Sequence, residues 1–278
     1  MPLPDDFIFS QQSLQDYADC PRRFYLRYVR QLAWPAIESE PVLENEHLMQ
    51  QGAAFHRLLH RHAIGIPAGQ LENLVEAEEL TLWWKNYREW GPADLPAERY
   101  PETILSAPLA GFRLMARYDL IAVDPGRRCV IVDWKTSQKR PRRSWLAERQ
   151  QSRVYPYLWI LAGSQLNGSQ APQPEQVEMV YWFANAPTEP ERFQYSAQRC
   201  RADGEYLAAL IATIDRLEPA GFILTPDAGR CRFCTYRSLC DRGVEAGRID
   251  EPGFDEVELP EEEGNLIIDL DQIAEIEY

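Results

Sequence analysis

Two short apolar stretches near the middle of the chain decide the fold: residues 117–124, which read RYDLIAVD, and residues 129–136, which read CVIVDWKT. Val, Ile, Leu and Tyr dominate both, as in β-strands, and the Asp-Pro-Gly sequence at 124–126 is a strong turn signal. The pattern predicts two strands joined by a tight turn. Residues 102–106 (ETILS) predict a strand before this hairpin, which makes a three-stranded meander.

Acidic side chains and one lysine interrupt the apolar pattern of the hairpin. Because successive side chains of a strand point to opposite faces, Asp133 and Lys135 share one face of the second arm, while Asp119 lies in the first. Two carboxylates and an ammonium group at a strand end could hold a hard divalent cation such as Mg²⁺, with positions left for water and phosphate. An ordinary solvated salt bridge at a sheet edge is the alternative.

The composition is that of a globular chain with a sizeable core. Of 278 residues, 45% are hydrophobic and eight are Trp, and this length allows one large domain or two small ones. No run approaches the roughly 20 apolar residues that a membrane helix requires. The first residues, MPLPDD, lack the basic and apolar regions of a secretory signal, so we expect a cytoplasmic protein without a membrane partner.

The net charge of −14 is distributed unevenly along the chain. Residues 245–278 hold 13 acidic residues and one Arg, a net charge of −12, whereas residues 127–153 hold nine basic and two acidic residues, a net charge of +7. A basic patch beside a candidate metal site suits a phosphate backbone, although a solvated loop and helix face gives the same pattern. The candidates for nucleic-acid binding are Lys139, Arg140, Arg142, Arg143, Arg149 and Arg153.

The acidic segment 245–278 has few aromatic residues and dense charge, which predicts disorder after a folded domain at 1–244. Within it, residues 265–276 (NLIIDLDQIAEI) are more apolar and could become ordered against a partner protein. A purely solubilising segment, or one that competes with DNA for the basic patch, are the alternatives.

A group of cysteines near the end of the predicted domain has the spacing of metal ligands in a reducing compartment: Cys231, Cys234 and Cys240. A closed site needs a fourth ligand, and all four His lie far away, between residues 47 and 62. Cys129 lies in a predicted core strand and Cys200 at a helix start. Cys20, which precedes Pro21 and a predicted helix, is therefore the best candidate.

Helical periodicity predicts the layers that would cover the sheet. His56 and His60 lie four residues apart in one helix and could share a metal, but no Glu follows His56 as it does in zinc proteases. Ser10 and Ser144 are placed to begin two helices, and Pro156 to bend or divide the second. The predicted helices include 50–62, 72–90, 144–158 and 201–217, and a further strand is predicted at 177–183.

Together these features resemble the RecB-type nucleases of the PD-(D/E)XK superfamily, and within them the iron–sulfur branch that includes the AddB nuclease domain and the CRISPR-associated adaptation nuclease. The resemblance spans residues 10–240, with the motifs in the family's order. The matches are Cys20-Pro21 with Phe24, residues 52–56 (GAAFH), Asp119 within 116–121 (ARYDLI), Asp133-Trp134-Lys135, residues 151–155 (QSRVY, Gln-x3-Tyr), and Cys231, Cys234 and Cys240. Ala116 and Trp134 stand where the family often has Gly and Tyr.

The resemblance implies a restriction-endonuclease-like α/β fold, a mixed central sheet flanked by helices and closed by a four-cysteine metal cluster. The ligands that it implies for a [4Fe–4S] cluster are Cys20, Cys231, Cys234 and Cys240. Thiolate chemistry alone would equally allow a structural Zn²⁺.

The resemblance also implies an active site that binds Mg²⁺ or Mn²⁺. The metal ligands that it implies are His56, Asp119, Asp133 and the carbonyl of Trp134. Lys135 would position or activate the attacking water, and two further side chains would orient the substrate strand. The implied catalytic residues are Asp119, Asp133, Lys135, Gln151 and Tyr155.

The implied function is metal-dependent hydrolysis of DNA, by an exonuclease that acts on single strands or ends in repair, recombination or defence. A DNA-binding structural subunit of a larger helicase–nuclease or DNA-processing assembly is the alternative. Retention of His56, Asp119, Asp133 and Lys135 favours the enzyme. A zinc-ribbon interaction module would explain the cysteines but not the acidic hairpin.

Overall fold

A computed structural model describes residues 3–4, 6–33, 42–75 and 77–243. The acidic segment 245–278 and its partner-binding stretch lie outside the described residues. The helices, numbered in chain order, are α1 (Gln11–Asp19), α2 (Pro21–Phe24), α3 (Val42–Ala63), α4 (Ala68–Leu71), α5 (Glu78–Trp90), α6 (Arg143–Glu148), α7 (Gln150–Ala162) and α8 (Ala197–Asp215). The strands are β1 (Ile8–Ser10), β2 (Glu98–Leu109), β3 (Phe112–Asp124), β4 (Arg128–Lys135), β5 (Val177–Phe183) and β6 (Glu191–Gln194).

All six strands form one mixed sheet. The predicted meander is confirmed as β2, β3 and β4, which pair antiparallel in succession, and the predicted strand at 177–183 is β5, which pairs parallel with β4. β1 is parallel to β3, and β6 is antiparallel to β5. A parallel neighbour needs a crossover connection, and α6 and α7 supply the one between β4 and β5.

Helices cover the sheet on both faces, as the sequence predicts. One hydrophobic core packs α1, α2, α7 and α8 against one face, and a second packs α3, α4 and α5 against the other. Strand β4 alternates between them, since Cys129 and Ile131 belong to the first core and Val130 and Val132 to the second. Cys129 is buried among these side chains, so its interpretation as a core thiol is confirmed.

Helix boundaries differ from the predictions in several places. Helix α3 begins at Val42, before the predicted residue 50, and α8 begins at Ala197, before the predicted residue 201. The helix predicted at 72–90 begins at Glu78, because Val75 is extended and a short 3₁₀ turn, Glu72–Leu74, precedes it. The helix predicted from Ser144 is in fact two: α6 begins at Arg143, and an extended Arg149 separates it from α7. Pro156 lies inside α7 without dividing it. The cap predicted at Ser10 is confirmed, since its hydroxyl accepts a bond from the Ser13 amide.

Among the described residues, no helix is long and apolar enough to span a lipid bilayer.

Candidate active site

The sheet forks beside Asp119. β2 pairs with β3 along nearly its whole length, so β1 and β4 share the other side of β3. β1 reaches Met115 and β4 begins at Leu120, which leaves residues 116–119 of β3 without a strand on that side in the described part of the chain. The backbone amide of Trp134 donates instead to the Asp119 carboxylate at 2.8 Å. A side chain thus accepts a hydrogen bond between β3 and β4 where the strands diverge.

The alternation of β3 changes face at the same point. Leu114, Ala116 and Tyr118 belong to the first core, but beyond Asp119 the odd-numbered Ile121 and Val123 do. A regular strand would keep the same parity throughout. Asp119 and Leu120 therefore both face α3, where Nδ1 of His56 lies 3.2 Å from Oδ1 of Asp119.

Asp119 remains an anion in this setting. Burial alone would raise its pKa, but the nearby His56, the bond from the Trp134 amide and the charge of Lys135 together hold the pKa of Asp119 below its usual range. A carboxylate that stays ionised is ready to bind a cation without losing a proton first.

Asp133 and Lys135 form a second, more deeply buried group on the opposite face. Lys135 Nζ lies 2.9 Å from Asp133 Oδ2, and the Asp133 side chain is only 2% exposed. Gln151 of α7 joins them: its Nε2 donates to Asp133 at 2.6 Å and to the Tyr155 hydroxyl at 3.2 Å, and its Oε1 accepts from Lys135 at 3.1 Å. Tyr118 fixes α7 by donating to the Tyr155 carbonyl at 2.9 Å. The structure thus brings together four of the five residues predicted to be catalytic, and the fifth, Asp119, lies in the first group, within reach of the charge of Lys135.

Gly52 lets α3 approach the end of β4, one helical turn before His56. A Cβ atom built at Gly52 would lie 2.9 Å from the Thr136 hydroxyl, closer than side chains normally come. Since His56 is four residues further along the same helix, the spacing between Gly52 and Thr136 sets how near its imidazole comes to Asp119.

Replacing Gly52 by Val should therefore displace His56 from Asp119. We expect the hydrolytic activity that the resemblance implies to fall by roughly ten- to hundredfold, the scale of a displacement of about 1 Å in an active site, with a loss of stability of about 1–3 kcal/mol from overpacking. The control is Gly69→Val, because Gly69 of α4 has open space around its Cβ position. Wild-type cleavage by Gly52→Val, measured at saturating metal, would contradict this role of the glycine.

Glu102 is a site residue that the sequence analysis missed. It lies on β2 between Pro101, which pairs with Leu120, and Thr103, which pairs with Tyr118, so it is directly opposite Asp119. One ligand atom each from His56, Glu102 and Asp119 lie within 4.8 Å of one another, the one such group of metal-ligating side chains in the described residues. Burial and the charge of Asp119 raise the pKa of Glu102. His60, which could have shared a metal with His56, is not in this group.

The sequence pattern of the PD-(D/E)XK nuclease superfamily matches residues 8–241, which contain this whole arrangement. The chain belongs to the PD-(D/E)XK nuclease superfamily. Membership implies a hydrolytic nuclease, and such nucleases typically use divalent metals such as Mg²⁺.

Solved structures with a similar chain path have low sequence identity. A candidate exonuclease from Eubacterium rectale is 9% identical with a TM-score of 0.47, over 77% of this chain and 82% of that one. The protein SSO0001 is 13% identical with a TM-score of 0.39, over 86% and 87% of the two chains. Among curated proteins, none matches this chain significantly.

The basic residues predicted to bind nucleic acid are not equally accessible. Lys139 and Arg142 are exposed, whereas Arg140 and Arg143 both bond to Glu191. Two of the residues predicted to bind nucleic acid take part in ion pairs within the folded domain. Arg149 is buried, stacks on Trp145 and lies 3.7 Å from Asp19, because it occupies the break between α6 and α7. Arg153 is bound to the buried Asp203 at 2.8 Å.

The four cysteines expected to bind a cluster come from both ends of the described chain. Burial raises the pKa of the thiols of Cys231, Cys234 and Cys240. The neighbouring Cys20 raises the pKa of each of these thiols further. The backbone agrees with this proximity, since Arg22 donates to the Ile223 carbonyl at 3.1 Å. Cys200 lies apart from this group, inside α8.

Proposed function

We propose that this chain is a divalent-metal-dependent deoxyribonuclease of the RecB-type iron–sulfur branch. It would hydrolyse phosphodiester bonds as an exonuclease acting on single strands or free ends, in DNA repair, recombination or defence. Residues 1–244 would form the nuclease domain. The acidic segment 245–278 would be an appendage that could bind a partner protein, a prediction that rests on the sequence alone.

The observation that carries this proposal is the placement of Asp119, Asp133 and Lys135 around the fork between β3 and β4. Asp119 lies beside His56 on the α3 face, whereas Asp133 and Lys135 contact Gln151 on the α7 face. The Trp134 amide, between Asp133 and Lys135 in the chain, donates to Asp119, and the charge of Lys135 lowers the pKa of Asp119. A purely structural role would not need an anion at Asp119 in contact with both a histidine and a backbone amide.

The donor set fits a hard divalent cation. Carboxylate oxygens suit Mg²⁺ and Mn²⁺, and an imidazole nitrogen is compatible with Mn²⁺. His56, Asp119, Asp133 and the backbone of Trp134, which is adjacent to Asp119, would hold the cation. Once bound, the metal would neutralise phosphate charge and lower the pKa of a coordinated water.

The protein's own residues would supply position and charge. Lys135 would hold the attacking water and offset the negative charge that develops on the phosphate. Gln151 holds both Asp133 and Lys135 in place, and Tyr155 supports Gln151 from one turn further along α7. This arrangement limits the motion of the reacting groups, which is the usual contribution of positioning residues to rate.

Exposed basic residues after β4 would bind the substrate backbone. Lys139, Arg140, Arg142 and Arg143 follow directly after Lys135 and lie at least partly on the surface. Each phosphate contact would add to the dependence of DNA affinity on salt concentration. Arg149 and Arg153, which are bound to acidic side chains, would act mainly by stabilising α7.

A [4Fe–4S] cluster on Cys20, Cys231, Cys234 and Cys240 would join the two ends of the domain. In the cytoplasm, which we propose as the location of this chain, thiols remain reduced and available for metal. Burial raises the pKa of Cys234 to about 11, so the cluster must displace a proton as it binds.

The resemblance to the iron–sulfur branch favours a cluster over a single zinc ion, because Cys₄ thiolate ligation by itself suits both.

The test is an assay on protein purified without oxygen. Linear single-stranded and blunt double-stranded DNA, labelled at either end, would be incubated with Mg²⁺, Mn²⁺ or EDTA, with circular single-stranded DNA as the control for internal cutting. We expect cleavage of linear DNA with either metal and none with EDTA. Binding of DNA without cleavage under every condition would instead favour the structural subunit of a larger assembly.

A further inference from the structure

We propose that Glu102 is a metal ligand, and that His56, Glu102 and Asp119 together form a divalent-cation site on the α3 face of the sheet. The inference rests on the proposed metal-dependent nuclease and adds to it a ligand that none of the recognised motifs contains. Glu102 lies 17 positions before Asp119, outside the Asp-x-Lys and histidine motifs.

The three side chains reach one point from three different elements. His56 comes from α3, Glu102 from β2 and Asp119 from β3, and their ligand atoms lie within 4.8 Å of one another. All three are partly exposed, with side chains between 15% and 27% accessible, so a cation could enter and keep water in its shell. One imidazole and two carboxylates are an ordinary ligand set for a catalytic metal.

Two features of Glu102 are unfavourable in the absence of a cation. Two carboxylates directly opposite each other on antiparallel strands repel one another. Glu102 also has a backbone φ of 50°, a left-handed conformation that glutamate rarely adopts and that favours Gly or Asn. Such strain concentrates at functional sites, and a cation between the carboxylates would turn repulsion into attraction.

Arg117 does not account for this placement. Its Nε lies 3.4 Å from Glu102 Oε2, but the arginine side chain is 43% exposed, so the ion pair is largely screened by water. A surface ion pair does not require a strained backbone at the residue that provides the carboxylate.

The site differs from the group around Asp133. Asp133 is already bound to Lys135 and Gln151 on the opposite face. Asp119 is common to both, since Oδ1 faces His56 and Oδ2 accepts from the Trp134 amide beside Asp133. Glu102 would thus add a metal ligand beside Asp119, on the α3 face of the sheet.

The test measures Mn²⁺ binding by calorimetry and by the gain in melting temperature that Mn²⁺ produces. The variants are Glu102→Gln, which keeps the shape of the side chain, and Glu102→Asn, which suits the left-handed backbone. Glu98→Gln is the matched control, an exposed glutamate on the same strand. Asp119→Asn defines complete loss of the site.

We expect both Glu102 variants to bind Mn²⁺ at least about tenfold more weakly than the wild type and to gain less melting temperature from it. Without metal, Glu102→Asn should melt no lower than the wild type, because it relieves both the repulsion and the strain. Glu98→Gln should behave as the wild type throughout.

Wild-type Mn²⁺ affinity in Glu102→Gln, with affinity lost in Asp119→Asn, would overturn the role of Glu102 and leave the proposed nuclease intact. Failure of the wild-type protein to bind Mn²⁺ or to cleave DNA would overturn the proposed function as well. Tighter Mn²⁺ binding by Glu102→Gln would also refute the assignment.

Discussion

Replacing Asp133 by Asn or Lys135 by Met should lower the proposed DNA cleavage by about a thousandfold or more, the scale seen when a group that stabilises charge in a transition state is removed. Asp133→Asn would remove an anion from the proposed metal site, and Lys135→Met would remove the cation proposed to face the phosphate. The measurement is the single-turnover rate on end-labelled DNA at saturating Mg²⁺. Asp124→Asn and Lys85→Met are controls, because both residues are exposed.

Stability must be separated from chemistry in these variants. Asp133 and Lys135 are 2% and 14% exposed, and removing one charge of a buried pair costs about 3–5 kcal/mol because the other remains. The double variant Asp133→Asn with Lys135→Met removes both charges and should recover much of that stability without recovering activity. If either single variant cleaves DNA at the wild-type rate, the active site lies elsewhere.

Replacing Cys20 by Ser should remove the proposed [4Fe–4S] cluster from the protein and destabilise the whole domain. The expected result is complete loss of the brown colour and of bound iron and sulfide, with a melting temperature lowered or no cooperative transition, since metal binding contributes directly to folding. Cys200→Ser is the matched control, the same change at a cysteine in α8 away from the cluster. A colourless wild-type protein with one zinc per chain would contradict the iron assignment.

Loss of the cluster should also lower cleavage, because the same region supports α7. Asp19, next to Cys20, forms an ion pair with Arg230, which directly precedes Cys231, and lies 3.7 Å from Arg149. Gln15 accepts a bond from the Gln150 amide at 3.0 Å, immediately before Gln151. Helix α1 therefore links the cysteines to the start of the helix that positions Asp133 and Lys135.

Local signals in the sequence were sufficient to predict the two strands that carry the candidate site, β3 and β4. The apolar runs and the turn at 124–126 predicted β3 and β4, since short-range alternation and turn chemistry depend on residues close together in the chain. The motifs around His56, Asp119, Asp133, Lys135 and Gln151 indicated the superfamily that the comparison confirms. Helix ends were less certain, as at Arg149, where an extended residue divides a continuous apolar pattern.

Only the tertiary structure showed that Glu102 lies opposite Asp119 and that β2 and β3 are irregular at this pair of residues. A sequence pattern that averages over a strand assumes regular alternation, and the site depends on one position where alternation fails. The tertiary structure also showed which arginines form ion pairs. Asp19 and Arg230 are 211 positions apart, so no local sequence pattern relates them. The chain's superfamily could thus be predicted from its residues, but the contacts that position the candidate metal ligands come from pairs distant in sequence.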